Sequence, residues 1–79
     1  MNRHEQRIKQ LQAKLLESGM GAALLFYSRD IFYYTGVAQP AYLAIFPDDY
    51  HLFVRSGHPY AVQNAPIDAN KISAERDLE

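Results

Sequence analysis

Cysteine is absent from this chain of 79 residues, and so is tryptophan. Without thiols there is neither a disulfide framework nor a thiolate metal site. An excess of one charge is missing too: eight Lys and Arg stand against nine Asp and Glu, for a net charge of −1. That balance supplies no basic field for nucleic acid and no acidic tail. No apolar run approaches the roughly 20 residues that span a bilayer. The opening Met1-Asn2-Arg3-His4-Glu5-Gln6-Arg7 is polar, unlike the apolar core of a signal peptide. These absences lead us to expect a soluble cytoplasmic protein with no nucleic-acid and no membrane partner. A packed core is expected nonetheless, because 48% of the residues are hydrophobic, among them six Tyr and four Phe. The length allows one small domain, residues 1–79, burying only about 60% of its unfolded surface.

The order of elements follows from periodicity. Ile8, Leu11, Leu15 and Leu16 recur at helical spacing within residues 3–18, with charged residues on the other faces. Glu5 precedes Lys9 by one turn, and Gly19 is placed to stop the helix. Mixed-sign charge with four apolar anchors points to a helix covering a sheet rather than one lying on a membrane. The continuous apolar run Ala22–Phe26 reads as a strand buried on both faces, hence central with helices on each side. Ser28 is a candidate cap for a short helix that Asp30 favours electrostatically and Gly36 ends. So short a helix is held only by Ile31, Phe32, Tyr33 or Tyr34 packing on the sheet. Residues 42 to 55 form an antiparallel hairpin about the turn Pro47-Asp48-Asp49-Tyr50. Ser56-Gly57-His58-Pro59 opens a helix that Pro66 stops, and residues 70–75 form a weaker fourth strand. The expected order is α-β-α-β-β-α-β, a mixed sheet with helices on both sides. Leu78-Glu79 is compatible with an expression-vector remnant.

Chemistry-bearing groups do not assemble into a known pattern. His4, His51 and His58 lack the spacing of metal ligands, and adjacent Asp48 and Asp49 in a turn point apart. Ser28, Ser56 and Ser73 carry no nucleophile elbow, and capping accounts for the first two. Gly19-Met20-Gly21 precedes a strand instead of following one, the wrong order for a dinucleotide loop. Six tyrosines without a positive groove suit core and interface packing better than base stacking. No residue is put forward as catalytic or as a metal ligand.

One segment is distinctive: the strand residues Ala23-Leu24-Leu25-Phe26 followed by Asp30-Ile31-Phe32-Tyr33-Tyr34-Thr35-Gly36. Together with Arg7-Ile8-x-x-Leu11-x-x-x-Leu15, Gly19, Pro47-Asp48, Arg55 and Lys71-Ile72-Ser73-Ala74-Glu75, it resembles the N-terminal domain of the creatinase, prolidase and Xaa-Pro aminopeptidase family. Tyr34 stands where the family often has leucine, Gly21 replaces a common aspartate, and Tyr27-Ser28 replaces the usual serine-proline. The resemblance implies an α/β fold, a three-layer ribonuclease H-like mixed sheet, incomplete within these residues. It also implies that this domain does no bond chemistry. A catalytic C-terminal "pita-bread" domain, absent here, would hold two divalent metal ions on two aspartates, a histidine and two glutamates. In the family the loop after the Thr-Gly pair approaches the neighbouring subunit's active site across a dimer. Here that substrate-access loop is Val37, Ala38, Gln39, Pro40, Ala41 and Tyr42, with Gln39 placed to hydrogen-bond substrate.

The expectation is therefore the non-catalytic N-terminal part of a dinuclear-metal Xaa-Pro aminopeptidase or dipeptidase, homodimeric, meeting peptide only in the full-length protein. Two alternatives are a self-contained small dimerisation or binding module and the N-terminal domain of a non-peptidase relative such as creatinase. A ribonuclease H-like nuclease would need an acidic residue in the first strand, and Ala22–Phe26 contains none.

Overall fold

Residues 41–46 read Ala-Tyr-Leu-Ala-Ile-Phe, and their alternation decides the architecture. In the computed structural model, which describes residues 3–74, Ala41, Leu43 and Ile45 are buried to 5%, 0% and 0% exposure. Their neighbours Tyr42, Ala44 and Phe46 point to the opposite face. This strand, β2 (Ala41–Phe46), pairs antiparallel with β3 (Asp49–Val54), where Leu52 and Val54 continue the buried face. The hairpin expected at 42–55 thus forms at 41–54, with Leu43 opposite Leu52.

Two three-residue strands complete the sheet in the order β1-β2-β3-β4. β1 (Ala23–Leu25) runs antiparallel to β2, and β4 (Ile72–Ala74) runs parallel to β3. Mixed α/β architecture, a four-stranded mixed sheet and three helices agree with expectation. β4 is shorter than the expected 70–75. Its first residues instead make a 3-10 turn, Ala69–Lys71, begun by the Asp68 carboxylate accepting from the Asn70 N–H at 3.0 Å. Glu75 and the Leu78-Glu79 pair lie outside the described residues.

The first strand departs from the sequence reading. Among the described residues it is an edge strand, not a central one. Ala23 and Leu25 pack on the core, while Leu24 is 55% exposed. Continuous apolarity cannot distinguish a strand buried on both faces from one whose second face is apolar yet uncovered.

The placement of the helices explains why that second face is uncovered among the described residues. α1 (Arg3–Glu17) buries Ile8 and Leu15, α2 (Ser28–Thr35) buries Ile31, and α3 (His58–Asn64) buries Ala61. All four side chains join Leu43, Ile45, Leu52 and Val54 in one core. The described helices therefore share one face of the sheet, giving two of the three expected layers. Helices on both sides are not found among the described residues. Leu16, expected on the buried stripe of α1, is exposed because one residue step turns it about 100° away from Leu15.

Helix ends differ from the sequence reading in their caps. Ser28 is the first residue of α2 rather than its cap; Tyr27 holds that place and no side chain caps it. Likewise Gly57, not Ser56, holds the cap position before α3, with Pro59 in the first turn of the helix. Gly36 ends α2 as expected, at φ 73°, and its N–H donates to the Phe32 carbonyl.

Candidate functional site

The short helix α2 and the loop behind it are fixed by three local devices. Thr35, fully buried, donates its hydroxyl to the Ile31 carbonyl at 2.7 Å and accepts from the Val37 N–H at 3.1 Å. One side chain thereby ties the last turn of the helix to the first residue of the loop. Gly36 takes the left-handed conformation that a side chain disfavours. It is also closed in sterically: a Cβ there would lie 2.6 Å from Pro66 Cγ and 3.2 Å from His4 Nε2. Third, α1 grips the same corner, because Arg7 Nη1 donates to the Tyr33 carbonyl at 2.8 Å. The Arg7 guanidinium lies 4.1 Å from the centre of the Tyr33 ring, and His4 Nδ1 is 3.1 Å from the same carbonyl. His4 thus belongs to this clamp.

The six loop residues then separate into different surroundings. Val37 and Ala41 are core residues, at 3% and 5% exposure. Ala38 and Pro40 are exposed, and Gln39 is half-buried with its Cγ over Gly57. Ala41 and Tyr42 already belong to β2, and Tyr42 faces the open side of the sheet. The loop end is further tied down by the Arg55 N–H donating to the Pro40 carbonyl at 2.7 Å. A groove of about 230 Å³ runs beside the loop, with Phe32 and Tyr60 on its rim and Val37, Ala38, Gln39 and Asn64 in its wall. Phe32 and Ala38 also border a second, wider groove with Ser28 and Arg29. The structure thus brings Val37, Ala38 and Gln39 together on one groove and leaves Tyr42 elsewhere.

Phe32, Tyr60 and Thr35 were not singled out as site residues from sequence. Thr35 carried a signal in standing directly before a glycine stop, whereas Phe32 and Tyr60 looked like ordinary core aromatics. They are 53% and 61% exposed, so their rings are available to a ligand or a partner.

Titratable groups elsewhere do structural work. His51 Nε2 lies 2.7 Å from Ser73 Oγ, joining β3 to β4, and burial pushes its pKa below the ordinary value. Lys71 bonds the Asp49 carboxylate, which lowers the pKa of Asp49 and raises that of Lys71. Gln12 donates to the Asp49 carbonyl at 2.8 Å and fastens α1 to the hairpin turn. Among the described residues, no three His, Asp or Glu side chains converge as a metal site. The donor set does not fit a dinuclear metal centre, since His4 and His51 are engaged in different regions of the fold.

Comparison with known proteins settles the family. A model of the creatinase/prolidase N-terminal domain matches residues 7–78. The chain belongs to this family. The crystal structure of an aminopeptidase P, an Xaa-Pro aminopeptidase from Streptococcus thermophilus, superposes with a TM-score of 0.78 at 24% sequence identity. That superposition takes in 98% of this chain and 60% of the solved one. No curated protein matches the chain. No helix of the described residues is long and apolar enough to cross a membrane.

Proposed function

We propose that this creatinase/prolidase N-terminal domain is the non-catalytic part of a dinuclear-metal Xaa-Pro peptidase, where it contributes to dimerisation and shapes substrate access. The metals and the reacting groups would belong to a separate catalytic domain, and no residue described here takes part in bond cleavage. The observation that carries this reading is the clamped corner at Thr35-Gly36. Buried hydrogen bonds, a left-handed glycine and the Arg7 grip spend most of a short helix on holding one loop in place. A loop so fixed presents Gln39, with an amide that both donates and accepts, beside the groove rimmed by Phe32 and Tyr60. Such a wall orients a peptide backbone without performing chemistry on it.

The test uses the protein encoded by the complete gene, assayed on Xaa-Pro peptides with manganese or cobalt. Gln39→Ala is expected to raise KM about fivefold, as loss of one hydrogen bond does, with kcat within about twofold. Residues 1–79 alone are expected to turn over no peptide. An unchanged KM contradicts the access role, and turnover by residues 1–79 alone contradicts the non-catalytic assignment.

A further inference from the structure

The two grooves beside the loop meet at Phe32 and Ala38. One runs from there to Gln39, and the other, of about 340 Å³, runs to Ser28 and Arg29. Their shared walls make them one surface along α2. Arg29 and Phe32 are three residues apart in that helix, so their side chains are neighbours on one side of it. Both are exposed.

Among the described residues, Arg29 is the one charged side chain in the lining of either groove. It has no hydrogen bond or ion pair with another described residue. Asp30, next in sequence, is turned about 100° away on the helix and lines neither groove. The other polar groups are uncharged, and one of them, the Asn64 amide, already donates to the Tyr60 carbonyl at 2.9 Å. The surface therefore offers the Gln39 amide at one end, the Phe32 ring in the middle and a single positive charge at the other end.

We infer that this surface selects peptides that carry a carboxylate, which Arg29 receives while Gln39 holds the peptide backbone. The inference rests on the access role proposed above for Gln39 and names the substrates that role favours. A guanidinium matches a carboxylate in shape as well as in charge, because two of its N–H groups donate side by side. One helical turn, about 4.5 Å along the axis, separates Arg29 from Phe32, which is between one and two residues of extended peptide. The carboxylate then lies one or two residues from the one that packs on Phe32. An Asp or Glu side chain supplies it, and so does the free end of a short peptide. Arg29 is in this account a specificity-determining residue, with no part in bond cleavage. Its exposure to water keeps the pair partly screened and the selection modest.

The test uses the protein encoded by the complete gene, with manganese, and circular dichroism melts to verify folding of each variant. Substrates are Ala-Pro-Ala-Ala, Ala-Pro-Glu-Ala and Ala-Pro-Ala-Glu, each with a free and with an amidated end. The wild type is expected to show a KM about fivefold lower for peptides with a carboxylate than for amidated Ala-Pro-Ala-Ala. Arg29→Gln is expected to remove that difference, Arg29→Glu to reverse it and Arg29→Lys to keep part of it. Raising salt from about 20 to about 300 mM should shrink the wild-type preference as well. The amidated Glu peptides isolate a side-chain carboxylate and free-ended Ala-Pro-Ala-Ala the terminal one, so a preference for either alone supports the inference and names the source. A wild type without preference, or a preference that survives Arg29→Gln, overturns it, while a raised KM in Gln39→Ala leaves the access role standing. Absence of turnover on every peptide overturns the access role and this inference together.

Discussion

The two faces of the sheet are built from the same strands and from similar residues, yet they have opposite fates. Leu43, Ile45, Leu52 and Val54 are at most 1% exposed beneath three helices. Leu24, Phe26 and Phe46, comparably apolar, retain 40% or more of their exposure. Residue type therefore does not separate them; what the chain places over each face does. The face with helices holds the fold together, and the other carries no helix among the described residues.

Mutations that exploit this contrast are expected to differ sharply in cost. The largest effect belongs to Leu52→Ala, which leaves a cavity at the centre of the covered face and loses about 3 kcal/mol in urea unfolding. Its counterpart Leu24→Ala changes stability by no more than about 0.5 kcal/mol. Comparable losses at both positions would mean that the second face is also core.

Next comes Gly36→Ala, expected to cost about 2 kcal/mol from positive φ alone, and more if Pro66 cannot yield. Loss of the Gln39 effect on KM should accompany it, because the loop is displaced. Thr35→Val keeps the shape but removes both hydrogen bonds and leaves the Val37 N–H without its acceptor, for a loss of about 1.5 kcal/mol in the same assay.

The smallest effect is a pH dependence on the open face. Burial lowers the His51 pKa from 6.5 in the folded state, so the folded chain binds fewer protons there than the unfolded one. Its contribution is complete at pH above the unfolded value and declines as pH falls through that value toward the folded pKa. The urea midpoint of the wild type should drop between about pH 7.5 and pH 5 more than that of His51→Gln. Parallel profiles for the two proteins would remove His51 from the account.

Much of the fold was legible in the sequence, for stated reasons. Alternation at Tyr42–Phe46 and at His51–Val54, with Pro47-Asp48 between, leaves little choice but a hairpin. Gly36 after Thr35 marks a stop that the structure places in the left-handed region. Legibility failed where apolar content and burial part company. Ala22–Phe26 has the composition of a central strand and the place of an edge strand, and Leu16 has the chemistry of the core with 71% exposure. Serine caps failed at Ser28 and Ser56 because the helix starts lie one residue from where those side chains would serve. At the candidate site, the loop was legible as a segment after the Thr-Gly pair. Its division into buried Val37 and Ala41, half-buried Gln39 and exposed Ala38 and Pro40 depends on tertiary packing, which local sequence does not encode.

Hydroxyl-radical footprinting of the folded chain is the most direct test of this two-faced sheet. Leu43 and Leu52, at 0% exposure, should be protected. Leu24, Phe26 and Phe46 should label readily. Protection of those three equal to that of Leu43 and Leu52 would contradict the account.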